Sequence, residues 1–211
     1  MPKLFTVLFS LVAATASAGP INLVANGDFS AGATGFSTDY TQGTGGFNSL
    51  WDPGTFDVSN SIGDLHSLWT VDPPDGNFLL VNGRTDDESL VWGQSIATTP
   101  GQTYKFSVSA ANLCCKPGSG GDQFPPLLRF LINGNIFGLG LTDGPGHWDV
   151  LEGFFTADSV LSTLSIRDES TAYGGNDFGL DNIVLEPVPE PASLVMLGTG
   201  LFAAVWKRRR R

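Results

Sequence analysis

Short runs of alternating apolar and polar residues dominate the chain between Gly19 and Glu186. In the clearest run, Thr103 to Ala111, every second side chain from Tyr104 onward is apolar, so apolar and polar sets face opposite sides of a strand. Helical periodicity is nearly absent, and the runs recur about every ten residues between Gly, Pro, Asn and Asp clusters. Seven further strands are predicted: Phe78–Val81, Leu90–Ala97, Leu127–Ile132, Ile136–Leu139, Trp148–Phe155, Leu161–Arg167 and Gly179–Leu185. The pattern predicts an all-β fold, a sandwich or barrel.

Turn-forming residues divide these runs. Asn133-Gly134 lies between two apolar runs and predicts a type I′ hairpin, whose two strands pair antiparallel. Two glycine-rich stretches, 41–46 and 115–123, are typical of long surface loops, where ligand contacts are more frequent than on strands. The chain has no internal repeat of about 20 to 50 residues, which argues against a solenoid or propeller.

The first 18 residues have the three parts of a secretory signal peptide. Lys3 supplies a positive start, residues 4–16 are almost wholly apolar, and Ala16-Ser17-Ala18 places small residues where a signal peptidase reads them. The alternative, a buried N-terminal helix, fits less well because Gly19-Pro20 stops a helix there. The sequence therefore predicts export, cleavage after Ala18, and a mature domain over residues 19–186.

The last residues also have three parts in a fixed order. Pro189-Glu190-Pro191 is extended and accessible, because proline fixes φ and removes a backbone donor. An uncharged stretch, 192–206, follows and predicts a single apolar helix that is short for a bilayer but workable with thinning and snorkelling. Five cations then resist translocation and hold the tail on the cytoplasmic side: Lys207, Arg208, Arg209, Arg210 and Arg211.

This arrangement over residues 187–211 resembles the PEP-CTERM sorting signal of Gram-negative bacteria that make extracellular polysaccharide. The resemblance implies that a membrane exosortase cuts near Pro189-Glu190-Pro191. The protein would then be anchored transiently in the cytoplasmic membrane and would leave it for the cell surface or the extracellular matrix. The alternative is a plain C-terminal anchor that is never cut, although a permanent anchor is usually longer.

The charge of the middle segment is lopsided. Residues 19–186 hold 20 of the 21 acids, and their only bases are Arg84, Lys105, Lys116, Arg129 and Arg167, so the formal charge of this segment is −15. Such a surface repels nucleic acid and anionic lipid, and no basic patch is available to bind phosphates. The composition favours neutral glycans, cations or basic partners.

Three landmarks in the middle segment resemble the jelly-roll modules of the galactose-binding-like group, which includes many carbohydrate-binding modules. They are Asn26-Gly27-Asp28-Phe29, the run from Thr98 to Tyr104, and the run from Gly179 to Leu185. The resemblance implies an antiparallel jelly-roll β-sandwich that binds polysaccharide.

The same resemblance implies a structural calcium ion, with Asn26, Asp28 and Asp181 among its ligands. Ser30 stands where the group has a glutamate, so backbone carbonyls would have to supply more of the six to eight oxygens that calcium needs. The alternative is that Asp181 and Asn182 simply hydrogen-bond the neighbouring strand.

The two cysteines are adjacent, Cys114 and Cys115. Zinc is disfavoured, because adjacent cysteines point apart and no second pair completes four ligands. Three states remain open for an exported chain: a vicinal disulfide, which we favour, two thiols that bridge to another chain, or one buried and one free thiol.

Candidate catalytic groups are few. His66 and His147 have no metal-ligand spacing, and the chain has no nucleophile elbow or phosphate-binding loop. The acid runs 86–88 and 168–169 contain the two carboxylates that a glycoside hydrolase needs, but acid runs in so anionic a domain are usually solvated turns. We therefore expect no enzymatic activity.

Aromatic residues are the candidate sugar contacts. Trp92 and Trp148 lie in strand patterns and are expected in the core. Trp51 and Tyr173 lie in loops and are predicted to stack on sugar rings, although loop aromatics also cap core edges. The sequence thus predicts a non-catalytic surface protein that binds polysaccharide; the alternatives are an acidic structural matrix protein without a sugar pocket and, last, a glycoside hydrolase.

Overall fold

The structure, a computed structural model, describes residues 21–189 apart from 73–74, 87, 122–123 and 142–143. The predicted signal peptide and the predicted apolar helix at 192–206 lie outside the described residues. In the described part of the chain, no helix is long and apolar enough to cross a membrane.

Ten strands and one four-residue helix make up the described chain, which confirms the all-β prediction. The elements are β1 (Thr41–Gln42), β2 (Thr55–Ser59), α1 (Ile62–Leu65), β3 (Phe78–Asn82), β4 (Ser89–Ala97), β5 (Thr103–Asn112), β6 (Leu127–Ile132), β7 (Asn135–Leu141), β8 (Trp148–Thr156), β9 (Leu161–Asp168) and β10 (Asp177–Pro187). All eight predicted strands are present, each within two residues of its predicted ends. The sequence pattern did not predict β1, β2 or α1.

The strands form two sheets, as expected for a β-sandwich. One sheet has six strands in the order β1-β2-β3-β10-β5-β8, and the other has four in the order β4-β9-β6-β7. Every pairing is antiparallel except that of β1 with β2. The predicted hairpin joins β6 to β7, where Asn133 (φ 51°) and Gly134 (φ 76°) both take the positive φ that a type I′ turn requires.

The main core lies between the sheets and follows the predicted alternation. Tyr104, Phe106, Val108 and Ala110 of β5 are all buried in it, and Trp92 of β4 has no exposed surface. Truncating so large a core side chain to Ala typically costs about 3 to 5 kcal/mol.

A smaller cluster, which we call the satellite core, covers the opposite side of β3. Phe78 and Leu80 belong to it, whereas Leu79 and Val81 belong to the main core, because alternate residues of a strand face opposite sides. Its other members come mainly from the segments around α1 and after β5: Leu50, Leu65, Trp69, Ala111, Leu113, Cys114 and Cys115. Part of the outer face of the six-stranded sheet is therefore covered by the chain itself. Trp148 packs against this cluster, edge-on to Phe78, and is only partly buried.

Candidate functional site

An open trough of about 710 Å³ lies on the outer face of the four-stranded sheet. All four strands contribute to its lining, which includes Leu90, Ser95, Arg129, Leu131, Ile136, Thr163, Ser165 and Arg167. Strand β9 shows why these side chains face outward. Its Ser162, Leu164, Ile166 and Asp168 are buried, so Thr163, Ser165 and Arg167 between them point away from the core.

The floor of the trough combines hydroxyl and aliphatic groups. The hydroxyls of Ser95 and Thr163 lie 3.2 Å apart across the β4–β9 pair, and Ser165 follows on the same face. Leu131 of β6 lies opposite Ser165, and Ile136 of β7 lies opposite Leu131. Hydroxyls that can bond sugar hydroxyls thus alternate with aliphatic surface that can contact sugar C–H faces.

Arginines occupy one end of the trough. Arg129 of β6 and Arg167 of β9 are direct partners in the antiparallel register. Arg129 binds Glu88 (Nη1–Oε1 3.2 Å) and makes a closer ion pair with Glu169. Arg167 donates from Nη1 to the backbone carbonyl of Glu88. Two arginines on neighbouring strands therefore both contact Glu88 at this end of the trough.

The acids considered for glycoside hydrolysis do not face this trough as a pair. Asp168 is completely buried and accepts hydrogen bonds from Tyr40 (3.1 Å), Asn176 (2.8 Å) and the Ser170 backbone N–H (3.0 Å). Burial raises the pKa of Asp168 to about 6, and these hydrogen bonds oppose the rise. Asp168 therefore stabilises the β9–β10 connection through hydrogen bonds and is not an accessible acid.

The second acid run is also engaged. Asp86 binds Arg84 through both oxygens, at 2.6 and 2.9 Å, and this hydrogen bonding lowers the pKa of Asp86 to about 2. Glu88 lies at the rim of the trough, where its side chain contacts Arg129. Asp87 lies outside the described residues.

The predicted calcium ligands lie where the first segment of the domain meets β10. The Gly27 carbonyl accepts the Ile183 N–H (2.9 Å), which fastens the Asn26–Phe29 segment to β10 beside Asp181. Burial raises the pKa of Asp181 to about 6, a backbone hydrogen bond from Asn182 opposes the rise, and the charge of Asp28 adds to it.

The donors in this region only partly fit a calcium ion. The Asn26 side-chain oxygen accepts from the Ala31 N–H (2.9 Å), and its Nδ2 donates to the Gly32 and Thr34 carbonyls (2.8 Å each). Asp28 and Asp181 remain as carboxylate donors, and among the described residues no three His, Cys, Asp or Glu side chains are grouped to hold a metal ion. The calcium site stays a prediction.

The two loop aromatics meet the same end of β3 but do not line the trough. The Trp51 carbonyl accepts from Asn82, the last residue of β3 (3.2 Å), and the Asn176 carbonyl of the Tyr173 loop accepts from the Gly83 N–H (2.8 Å). The Tyr173 side chain is 81% exposed. Both side chains are thus accessible, and their role in sugar stacking remains a prediction.

One face of Trp51 is already covered. Its ring stacks on His66 with centroids 4.8 Å apart, and His66 stacks on the buried Trp69 at 4.4 Å. Burial lowers the pKa of His66 to about 4, and the charge of Lys116 adds to the effect. Trp51 therefore caps the edge of the satellite core and, at 49% exposure, keeps its remaining surface open to solvent.

The structure joins Cys114 and Cys115 in a vicinal disulfide across a cis peptide bond, and both residues are buried in the satellite core. Pro189 is the last described residue of the chain, directly after Val188, whose N–H bonds the Thr103 carbonyl at 2.9 Å. The rest of the predicted sorting motif, Glu190 and Pro191, and the basic end at 207–211 lie outside the described residues.

The sequence patterns did not predict the trough. The signal was present, because Arg129 and Arg167 stand at non-core positions of two predicted strands, where each follows a buried apolar residue. What the sequence does not contain is the pairing of β6 with β9, which brings the two arginines together.

Comparison with known proteins bears on the tail and on the fold. Residues 187–211 match the family model of the PEP-CTERM protein-sorting motif. That motif indicates an exported surface protein that an exosortase processes, which confirms the predicted resemblance of the tail. No curated protein sequence matches the chain significantly.

Solved structures with a similar fold include an apo cyclase from Fischerella sp., which is 13% identical; the match covers 83% of this chain and 100% of the cyclase, with a TM-score of 0.54. A family 16 carbohydrate-binding module is 18% identical over 78% of this chain and 99% of the module, with a TM-score of 0.42. The C-terminal domain of EclA, a sugar-binding protein, is 19% identical over 57% of this chain and 84% of that domain, with a TM-score of 0.45. At such identity the likeness to the cyclase shows the fold alone.

Proposed function

We propose that this protein is a non-catalytic surface or matrix protein that binds polysaccharide along the trough of the four-stranded sheet. The observation that carries the proposal is the trough itself: an open, strand-lined surface with a hydroxyl row, aliphatic flanks and a pair of arginines. An open groove suits a chain-like ligand, because a polymer passes through it without having to enter a closed cavity. The sorting motif supports the proposal, because it indicates a protein that is exported to the cell surface.

The architecture leaves this face available. The satellite core covers part of the outer face of the six-stranded sheet with the segments around α1 and after β5. The outer face of the four-stranded sheet carries the trough instead. The polar groups of the trough belong to alternate residues of each strand, which face the same side of the sheet. Rigid strands position these groups more precisely than loops do.

A matched pair of filling substitutions tests the site. Ser165→Tyr places a large ring on the trough floor, whereas Val150→Tyr places the same ring on the exposed outer face of β8 in the other sheet. We expect Ser165→Tyr to abolish co-sedimentation with an insoluble or cross-linked polysaccharide, and Val150→Tyr to retain it. Equal binding by the two variants would remove the trough from the proposal.

The loop aromatics are tested in the same assay. If sugar stacking at Trp51 or Tyr173 contributes, Trp51→Ala or Tyr173→Ala weakens binding. We propose the trough as the main site, so the expected order is a complete loss for Ser165→Tyr and a smaller loss for either aromatic variant. The reverse order would place the site at the loops.

We also propose that a signal peptidase removes residues 1–18 and that the helix at 192–206 anchors the chain in the membrane until the exosortase acts. Mass spectrometry of the protein from its native host tests both steps. The expected chain begins at Gly19, ends near Pro189, and is lighter by two hydrogens because of the Cys114–Cys115 disulfide. An untrimmed, reduced chain recovered from the soluble cell interior would contradict the processing scheme.

A further inference from the structure

We propose that the arginine end of the trough selects polysaccharides that carry carboxylate groups, with Arg167 as the group that binds the ligand carboxylate. This inference rests on the proposed polysaccharide function and names the class of polymer. Its basis is the placement and pairing of the few cations in the domain.

The first observation is the direct pairing of Arg129 with Arg167 on neighbouring strands. Two like charges directly opposite each other in a sheet repel, since their Cβ atoms lie only about 4.5 to 5.5 Å apart. The segment 19–186 has five basic residues in all, and two of them meet here. The carboxylates of Glu88 and Glu169 offset this repulsion at Arg129, and a ligand anion at Arg167 would offset it on the other side of the pair.

The second observation is that the positive charges of the two arginines have different partners. Arg129 binds the carboxylates of Glu88 and Glu169, and the Glu169 side chain is only 10% exposed, so this part of the cluster is held internally. Arg167 pairs with no carboxylate among the described residues, and its bond from Nη1 goes to the uncharged Glu88 carbonyl. That bond uses one of the five N–H donors of the guanidinium.

The chemistry of the guanidinium then points to a carboxylate ligand. Its planar fork offers two parallel N–H donors that match a carboxylate, and such charge-assisted pairs are roughly twice as strong as neutral hydrogen bonds. The other trough groups, Ser95, Thr163 and Leu131, suit the uncharged part of a sugar ring. A uronic acid presents both features in one residue, a carboxylate beside hydroxyls and C–H faces.

The overall charge limits the ligand to a sparse polyanion. A domain of charge −15 repels a densely charged polymer such as nucleic acid. Screening reduces that repulsion beyond about 8 Å at physiological ionic strength, so a single carboxylate close to Arg167 still gains from the contact. The trough therefore fits one acidic sugar among its hydroxyl and aliphatic contacts.

The test compares two polymers that differ only in the carboxyl group: glucuronoxylan, in which only some sugars carry a carboxylate, and the same polymer after carboxyl reduction. Binding to the full, natively processed protein is measured by affinity electrophoresis at fixed salt. We expect glucuronoxylan to bind at least about tenfold more tightly than the reduced polymer, as for one charge-assisted hydrogen-bonded pair. Equal affinity for the two polymers would overturn acid selection and leave the polysaccharide function intact, whereas no binding to either would count against both.

Two substitutions assign the selection to Arg167. Arg167→Gln is expected to bind both polymers with the same affinity, and Arg167→Lys to keep part of the preference because it retains the charge without the fork. Lys105→Gln is the matched control, since it removes one cation from the outer face of the six-stranded sheet, where Lys105 binds Glu152 at 2.7 Å. An acid preference that survives in Arg167→Gln would refute the assignment; the wild-type comparison decides acid selection even if this variant does not fold.

Discussion

Asp177 is a buried acid whose ionisation opposes folding. It is the first residue of β10, is 5% exposed, and lies opposite Asn82 of β3 in the six-stranded sheet. Burial raises the pKa of its carboxyl from 3.8 to about 7, the indole N–H of Trp69 opposes the rise, and the charge of Asp168 adds to it. Asp177→Asn removes the charge and nearly keeps the volume, so it isolates the cost of ionising this group.

The direction of the pH effect follows from proton binding. Between pH 4 and pH 7 the folded chain binds more protons at Asp177 than the unfolded chain does, so the free energy of unfolding falls as the pH rises through this window. Each pH unit costs about 1.4 kcal/mol. Above pH 7 the ionised Asp177 therefore costs the folded state on the order of 4 kcal/mol, and between pH 5 and pH 8 the loss is on the order of 3 kcal/mol.

Urea unfolding followed by tryptophan fluorescence at pH 5 and pH 8 measures this cost. We expect Asp177→Asn to be more stable than wild type at pH 8, by a few kcal/mol, and to lose most of that advantage at pH 5. Asp168 and Asp181, whose pKa values burial also raises, remain in both proteins, so their contributions largely cancel in the comparison. Asp158→Asn, a substitution at an exposed acid in the β8–β9 loop, is the control and should match wild type at both pH values.

A parallel loss of stability by wild type and Asp177→Asn between pH 5 and pH 8 would refute this cost of ionising Asp177. Parallel curves would mean that solvent or a polar partner stabilises the ionised carboxylate in the folded chain. A variant that is less stable than wild type at pH 8 would mean that the carboxylate makes a favourable contact which outweighs its burial.

Three further predictions concern other parts of the sandwich. Gly27→Ala should destabilise strongly, by about 3 kcal/mol or more, because an added Cβ would lie 2.0 Å from a backbone oxygen of β10, whereas Gly63→Ala, with open space around it, should change thermal stability little. Trp51→Ala uncovers His66, so the pKa of that imidazole should rise from about 4 toward its ordinary value in an NMR titration; an unchanged titration would show that Trp51 does not shield it. A hundredfold excess of calcium over its Kd should raise the free energy of unfolding of wild type by about 2.7 kcal/mol, and with it the melting temperature. Asp181→Asn should show no such rise; equal responses would remove Asp181 from the calcium site.

Local pattern was enough to locate the elements that dominate the fold. The alternation at Tyr104, Phe106, Val108 and Ala110 predicts both a strand and the face that is buried. The β6–β7 hairpin was predictable for a similar reason, since Asn133-Gly134 supplies positive φ at two adjacent positions. The two-residue β1 gives no such signal, because it has too few residues to show a period.

The candidate site was less predictable because it depends on strands that are far apart in the chain. The loop positions of Trp51 and Tyr173 predict accessible aromatics, and the structure brings the two loops to one end of β3, but Trp51 also covers His66. That second role depends on the stacking of side chains from different loops. No local rule indicates it.

The sequence by itself determined the strands, the buried face of each strand, the anionic character of the domain and the sorting signal at its end, because each of these depends on residues that are neighbours in the chain. Only the tertiary structure decided that β6 pairs with β9, that Arg129 therefore lies opposite Arg167, and which outer face carries the trough. The physical reason is register: a shift of one residue would turn every side chain of a strand to the other face, and burial of the whole core fixes that register.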